Sequence, residues 1–320
     1  MEQKEIQYYH TVQLIAFALL IFCGGFLLLS LVLAVLPMLL APLSAMWREM
    51  IQQIVYGVLY AAVFLLPVLY FYRVRRRACP PREIYLKPEM GADAVLYLFA
   101  GLAVIALAAL VNARMMEWID PATAQIDLIG EVAGSNRQLI LRFIVLAVIP
   151  AFVEELLFRG VILSNLLPYS KGFAVVASGI LFGLMHHNFS QLLYATVAGV
   201  VLGYIYVKTR SIWPCVVLHF ANNALSVIEA AIFERVSAAT ATTAYNVIQL
   251  FIFTAGILCG TVLAVRANRQ RMTARAATES EPNGLHVLTC LRLFFAPAMI
   301  IFVVVCLTQA VMSLLISLWL

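Results

Sequence analysis

Charge is what this sequence has least of. Asp, Glu, Lys and Arg make up 12% of 320 residues, apolar residues 64%, and the mean hydropathy is +0.97. A soluble domain has about a quarter charged and nearer half apolar residues, so a water-soluble globular fold is excluded. Also missing is the apolar/polar alternation of a membrane barrel; the apolar runs instead approach the ~20 residues that a membrane helix needs. No CxxC pair, no Cys/His run and no HExxH occurs. The six cysteines (Cys23, Cys79, Cys215, Cys259, Cys290, Cys306) are scattered, mostly within apolar runs. A zinc ribbon or disulfide framework is thereby excluded, and buried reduced thiols are expected. Internal repeats and low-complexity tracts are absent too. The net charge of +5 therefore reports membrane topology, and nucleic acid is not an expected partner.

What is present is a series of apolar segments. The expected fold class is all-α: a polytopic transmembrane helical bundle of about 8–9 membrane helices around an intramembrane catalytic cavity. Spans are expected at 12–36, 51–72, 94–111, from 138 onward, a short one ending at His186-His187, then 191–207, 213–232, 246–265 and 293–318. The first is too long for a signal-peptide core and reads as an uncleaved helix. Within it Gly24-Gly25 marks a close-packing spot. The connection holding Glu117, Asp120, Asp127 and Glu131 reads as an amphipathic surface segment, and 239–245 and 273–284 as loops. Three regions follow: N-terminal membrane helices with a basic loop (1–137), a catalytic core (138–232) and C-terminal membrane helices (233–320).

With the N-terminus inside, about fifteen Lys and Arg residues fall in inner segments and five in outer ones. The positive-inside rule then gives an integral, multi-pass protein in the lipid bilayer, with a cytoplasmic N-terminus and the C-terminus outside.

Against this background Glu154, Glu155 and Arg159 stand out, because each charge near the centre of a membrane helix costs roughly 2.5–3.5 kcal/mol. Intramembrane ionisable residues are functional candidates by default. Glu155 and Arg159, at i and i+4, share a face and can pair. Such a pair can serve merely to hold helices together. Glu154 points about 100° away and is left without that explanation. Pro150, one turn earlier, removes a backbone bond and crowds residue 146. Phe182 and His186 share a face near the end of the short span, and either His186 or His187 can simply mark the membrane surface. His219 and Asn223 share a face further on; Asn222 reads as inter-helical amide glue. A carboxylate, two imidazoles and an amide from successive helices can together activate water and stabilise an oxyanion.

The motifs EExxxR (Glu154-Glu155-Leu-Leu-Phe-Arg159), FxxxH (Phe182 to His186) and HxxxN (His219 to Asn223) resemble those of the CPBP intramembrane proteases. That family includes the type II CAAX prenyl endopeptidases and the bacteriocin-processing and Abi proteins. The resemblance covers about residues 138–230. It implies an intramembrane endopeptidase, in the broader sense a hydrolase and metalloprotease-type protein. Glu154 would be the general base acting on water with His186. His219 and Asn223 would stabilise the oxyanion, and Glu155 and Arg159 would support the site. One divalent metal such as zinc could be held by Glu154, His186 and His219, with water in the fourth position. The implied partner is a peptide or a lipidated, membrane-anchored protein substrate. Two other classes fit the same buried charges: a proton- or ion-coupled transporter, and a non-catalytic scaffold or immunity protein on the same fold.

Overall fold

The structure is a computed structural model that describes residues 3–78, 91, 93–119, 136–274 and 285–319. It is helical throughout these residues. The helices are α1 (Gln3–Leu39), α2 (Ala45–Ala78), α3 (Ala94–Ile119), α4 (136–166), α5 (Lys171–Leu184), α6 (Phe189–Thr209), α7 (Trp213–Arg235), α8 (Ala238–Ala274), α9 (Val287–Phe294) and α10 (Pro297–Trp319). Seven of them, α1, α2, α3, α6, α7, α8 and α10, are long and apolar enough to cross a membrane. The other two expected spans are of a different kind. α4 changes helical pitch along its length, and α5 has 14 residues, about 21 Å at 1.5 Å per residue, against a hydrocarbon core of ~30 Å. The turn after α5 therefore falls at membrane depth.

Two expectations on helix limits need correction. Residues 239–245, expected as a loop, lie inside α8. Ser237 precedes that helix and its hydroxyl accepts from Thr240 N at 3.4 Å, the reach of a capping serine. The apolar segment near 293–318 is two helices, broken at Phe295, where φ/ψ are −80°/50°, just before Pro297. The surface segment with Asp120, Asp127 and Glu131, the loop at 275–284, Cys79 and much of the basic 73–87 stretch lie outside the described residues.

Packing follows small residues and apolar stripes. α1 lies against α2 and α10, α3 against α6 and α8, and α7 against α3, α4 and α6. The first helix buries Tyr8, Val12, Ile15, Leu19 and Phe22, while Leu27, Leu28, Leu31 and Met38 face outward. Of the Gly24-Gly25 pair only Gly25 sits in a close contact, with Val63 of α2. The tightest approach is between α5 and α6. A Cβ on Gly183 would lie 2.0 Å from Thr196 Oγ1 and 2.6 Å from Leu192 O; one on Gly199 would lie 2.8 Å from Gly179 Cα. Small residues one turn apart let two backbones meet in this way.

α4 is where sequence and backbone are most closely tied. Two π-helical segments, Ile144–Val148 and Leu156–Leu163, flank the α-helical Ile149–Glu155. Pro150 has no N–H, so it cannot bond the carbonyl four residues earlier and displaces it. That carbonyl, Leu146 O, accepts from Asn223 Nδ2 of α7 at 3.2 Å. Along the second π segment, side chains again take up displaced carbonyls: Ser164 Oγ donates to Gly160 O at 2.5 Å and Asn165 Nδ2 to Val161 O at 2.6 Å. Each such bond answers the cost of an unsatisfied backbone group at membrane depth.

Candidate active site

Glu154 and Glu155 end the α-helical turn between the two π segments of α4, and both are buried, at 3% and 0% exposed. The expected pair is present: Arg159 Nη1 donates to Glu155 Oε1 at 3.0 Å, with both side chains fully buried. Arg159 Nη2 donates to Gly199 O at 2.9 Å, a carbonyl within reach because the glycines draw α6 close. The guanidinium lies 4.9 Å over the Phe182 ring, a cation–π placement.

Glu155 does more than neutralise Arg159. Its Oε1 also lies 2.8 Å from His219 Nδ1. A carboxylate there holds the proton on Nδ1 and turns Nε2 toward the remaining space. Nε2 lies 3.8 Å from Glu154 Oε2, and Glu154 Oε2 is buried without a hydrogen-bond partner. The other oxygen of Glu154 accepts from the Tyr60 hydroxyl of α2 at 2.5 Å. Tyr56, one turn before Tyr60, packs its ring 5.4 Å away. Tyr60 is the residue that sequence reasoning missed. It lies 94 positions from Glu154 in an apolar run, where a tyrosine carries no signal of its own.

His186 follows α5 in a turn whose backbone N–H groups reach back to Gly183 O and Leu184 O. Its Nδ1 lies 2.9 Å from Phe182 O, an arrangement that leaves Nε2 for another partner. The ring sits 5.3 Å from Phe182 and that of His219 sits 5.7 Å from it on α7, so the two imidazoles flank one phenyl ring. No hydrogen bond or ion pair joins His186 to Glu154 among the described residues. His187 is buried inside the bundle at 8% exposed, with φ at 53°. Asn222 donates to Tyr194 OH at 2.6 Å and to Asn223 Oδ1 at 3.1 Å, which makes it the α6–α7 link expected of it. Asn223 uses one amide hydrogen on Leu146 O and keeps one.

Glu154, His186 and His219 do not fit a closed metal set as placed. Among the described residues, the group of three Cys, His, Asp or Glu side chains whose ligand atoms all lie within 4.8 Å of one another is Cys23, His187 and Cys306.

Fold and site together define a polytopic helical membrane protein with a cluster of Glu154, Glu155, Arg159 and His219 buried inside its bundle. Residues 136–225 match the family described as Type II CAAX prenyl endopeptidase Rce1-like. A Bacillus subtilis (strain 168) protein, "Putative membrane peptidase YdiL", is 32% identical over 91 residues, which are 28% of this chain and 36% of that protein. No solved structure matches the chain. The resemblance carried by the three motifs thus stands as one to the CAAX-type membrane peptidases, over the helices that hold Glu154 to Asn223. The match spans about a third of the Bacillus relative's length.

Proposed function

We propose that this protein is an intramembrane endopeptidase that hydrolyses a peptide bond in a membrane-anchored or lipidated substrate. The observation that carries this is the facing pair, Glu154 Oε2 and His219 Nε2, 3.8 Å apart, with Glu154 Oε2 buried and unpartnered. Two carboxylates, one guanidinium and one imidazole make a neutral group when a single extra proton is shared between Glu154 and His219. Buried charge is tolerated in such balanced, hydrogen-bonded form. The reaction moves that kind of proton.

Glu154 Oε2 accepts a proton from water as the water oxygen attacks the substrate carbonyl. His219 Nε2–H and the remaining amide hydrogen of Asn223 stabilise the oxyanion. Protonated Glu154 then gives its proton to the leaving nitrogen as the C–N bond breaks. The shared proton sits on His219 Nε2 throughout these steps, Glu155 stabilises the resulting imidazolium through Nδ1–H, and Arg159 holds Glu155. His186, whose ring lies 5.3 Å from Phe182, orients the water or the substrate once the substrate is bound. No step is assigned to a metal, because the three residues implied for it do not converge.

A cavity of about 330 Å³, lined by Leu33, Gln52, Gln53, Tyr56, Arg142 and Leu146, abuts the site through Tyr56 and Leu146. Its mixed apolar and polar wall suits an extended peptide joined to a lipid-like or membrane-spanning part. The N-terminus is assigned to the cytoplasmic side by the basic inner segments.

The test is cleavage of an anchored peptide by the full chain in proteoliposomes. Glu154→Gln should lower turnover by roughly 10²–10⁴-fold, the usual worth of a general base, with unchanged gel-filtration behaviour. Full activity of a folded Glu154→Gln protein, or uptake of an ion with no cleavage, overturns the reading. Loss of activity on chelation, restored by zinc even when Cys23 and Cys306 are both serine, would replace the metal-free step with a metal-assisted one.

A further inference from the structure

A second buried cluster lies outside this site, and it does not depend on the proteolytic reading. Cys23 is in the middle of α1, Cys306 in the middle of α10, and His187 in the turn between α5 and α6. All three are buried, with their ligand atoms within 4.8 Å of one another. His187 Nε2 lies 3.9 Å from Cys23 Sγ. In a tetrahedral zinc site, Zn–S at about 2.3 Å and Zn–N at about 2.0 Å place sulfur and nitrogen ~3.6 Å apart. The Cys23–His187 pair needs a contraction of only a few tenths of an ångström, and Cys306 Sγ starts within 4.8 Å of both.

Packing alone accounts poorly for this histidine. Phe22 and Phe26 wall its ring at 5.8 and 5.0 Å, yet Nδ1 is buried without a hydrogen-bond partner. Its backbone is held at φ 53°, a left-handed conformation that a non-glycine residue adopts at a cost. Gln309, three residues beyond Cys306 on the same helix, likewise keeps its side-chain oxygen buried and unpartnered. An unpaired polar atom at membrane depth costs several kcal/mol; ligation by the Gln309 oxygen would relieve one of the two, and Nε2 is the ring nitrogen that faces Cys23.

We propose that Cys23, His187 and Cys306 bind one zinc-class divalent cation, with Gln309 or water in the fourth position. Thiolates and imidazole select soft or borderline ions over calcium or magnesium. Each thiol gives up its proton to solvent on ligation, so two thiolates and Zn²⁺ form a neutral unit. Cu⁺ with the same ligands would leave a net negative charge in hydrocarbon, which is costly. The bound ion would tie the first and last long helices to the turn that carries His186, whose position would then no longer rest on Phe182 O alone.

The test uses the full chain in detergent, reduced, freed of metal and reloaded with Zn²⁺. One equivalent should remain after desalting, and Co²⁺ in its place should give thiolate-to-cobalt charge-transfer absorption. Cys23→Ser and Cys306→Ser should each lose both signals, and Cys259→Ser should keep them. Should either variant fail to fold, alkylation of the wild type mapped by mass spectrometry decides: Zn²⁺ should protect Cys23 and Cys306 and leave Cys259 reactive. Zn²⁺ retained by both serine variants, Zn²⁺ lost only with Glu154→Gln, or no protection of the two thiols each overturns the proposal. Preferential uptake of Cu⁺ at these thiols overturns the choice of ion.

Discussion

Among the described residues, Tyr60 is the side chain that donates a hydrogen bond to Glu154, and it comes from outside the three motifs. Removing its hydroxyl leaves a buried carboxylate oxygen unpartnered, and hydrogen bonds to charged groups contribute about 1.5–3 kcal/mol. Tyr60→Phe should therefore lower kcat roughly ten- to a hundredfold with little change in KM, as read from peptide-cleavage kinetics. An equal loss in KM alone would instead make Tyr60 a substrate-binding group. At this scale the sequence was partly legible. Glu155 and Arg159 pair as their i,i+4 spacing requires, since both lie on one helix and their separation is fixed locally. The bond from Glu155 to His219 spans 64 residues, and that from Tyr60 to Glu154 spans 94. Such contacts depend on how helices dock, which spacing along one helix does not contain.

Between helices, glycine and proline set the geometry. Gly183→Ala would drive a methyl group against Thr196 Oγ1 and Leu192 O, whereas Gly172 has nothing within 4 Å of a built Cβ. Overpacking costs typically about 1–3 kcal/mol. Gly183→Ala should thus lower the melting temperature and weaken catalysis by shifting His186, and Gly172→Ala should do neither. A second prediction concerns the proline. Pro150→Ala restores a backbone N–H that can bond Leu146 O, the acceptor now used by Asn223. In a double-mutant cycle, Asn223→Ala should cost less stability in the Pro150→Ala background than in wild type, by about 0.5–3 kcal/mol of coupling. Additive effects would separate the two residues. The displacement at residue 146 was visible in the sequence because it follows from the ring of Pro150. The π segment at Leu156–Leu163 was not, since no proline marks it and its carbonyls are met by Tyr72, Ser164, Asn165 and Ser178.

Across the whole molecule, apolar residues face outward on most helices, as Leu28, Met38, Leu250, Ile257 and Val304 show, and a bilayer is the surrounding that accommodates them. Reporter fusions at the two ends should place the N-terminus in the cytoplasm and the C-terminus on the opposite side. Both ends on one side would mean an even number of crossings and would remove one from the proposed nine. The helical membrane character was legible from hydropathy, and seven of the expected spans are helices long and apolar enough to cross a membrane. The shortness of α5 was legible too, and its 14 residues bear that out; the break before Pro297 was less so, because an average over a window hides where a helix stops. One bond has a wider bearing. With Asn223 holding Leu146 O, prising α4 from α7 would strand a carbonyl in hydrocarbon, so those two helices form the fixed jamb of the chamber. On the α2 side the ties beside the cavity are Tyr60 to Glu154 and Glu49 to Gln138 and Arg142, and the two bonds of Glu49 are ones that water or a peptide can replace one for one. That side is the door leaf. A chain threading in from the bilayer would push past α2 by parting the ties of Glu49 to Gln138 and Arg142, while Tyr60 stays on Glu154 and keeps the carboxylate aimed into the chamber that the peptide enters.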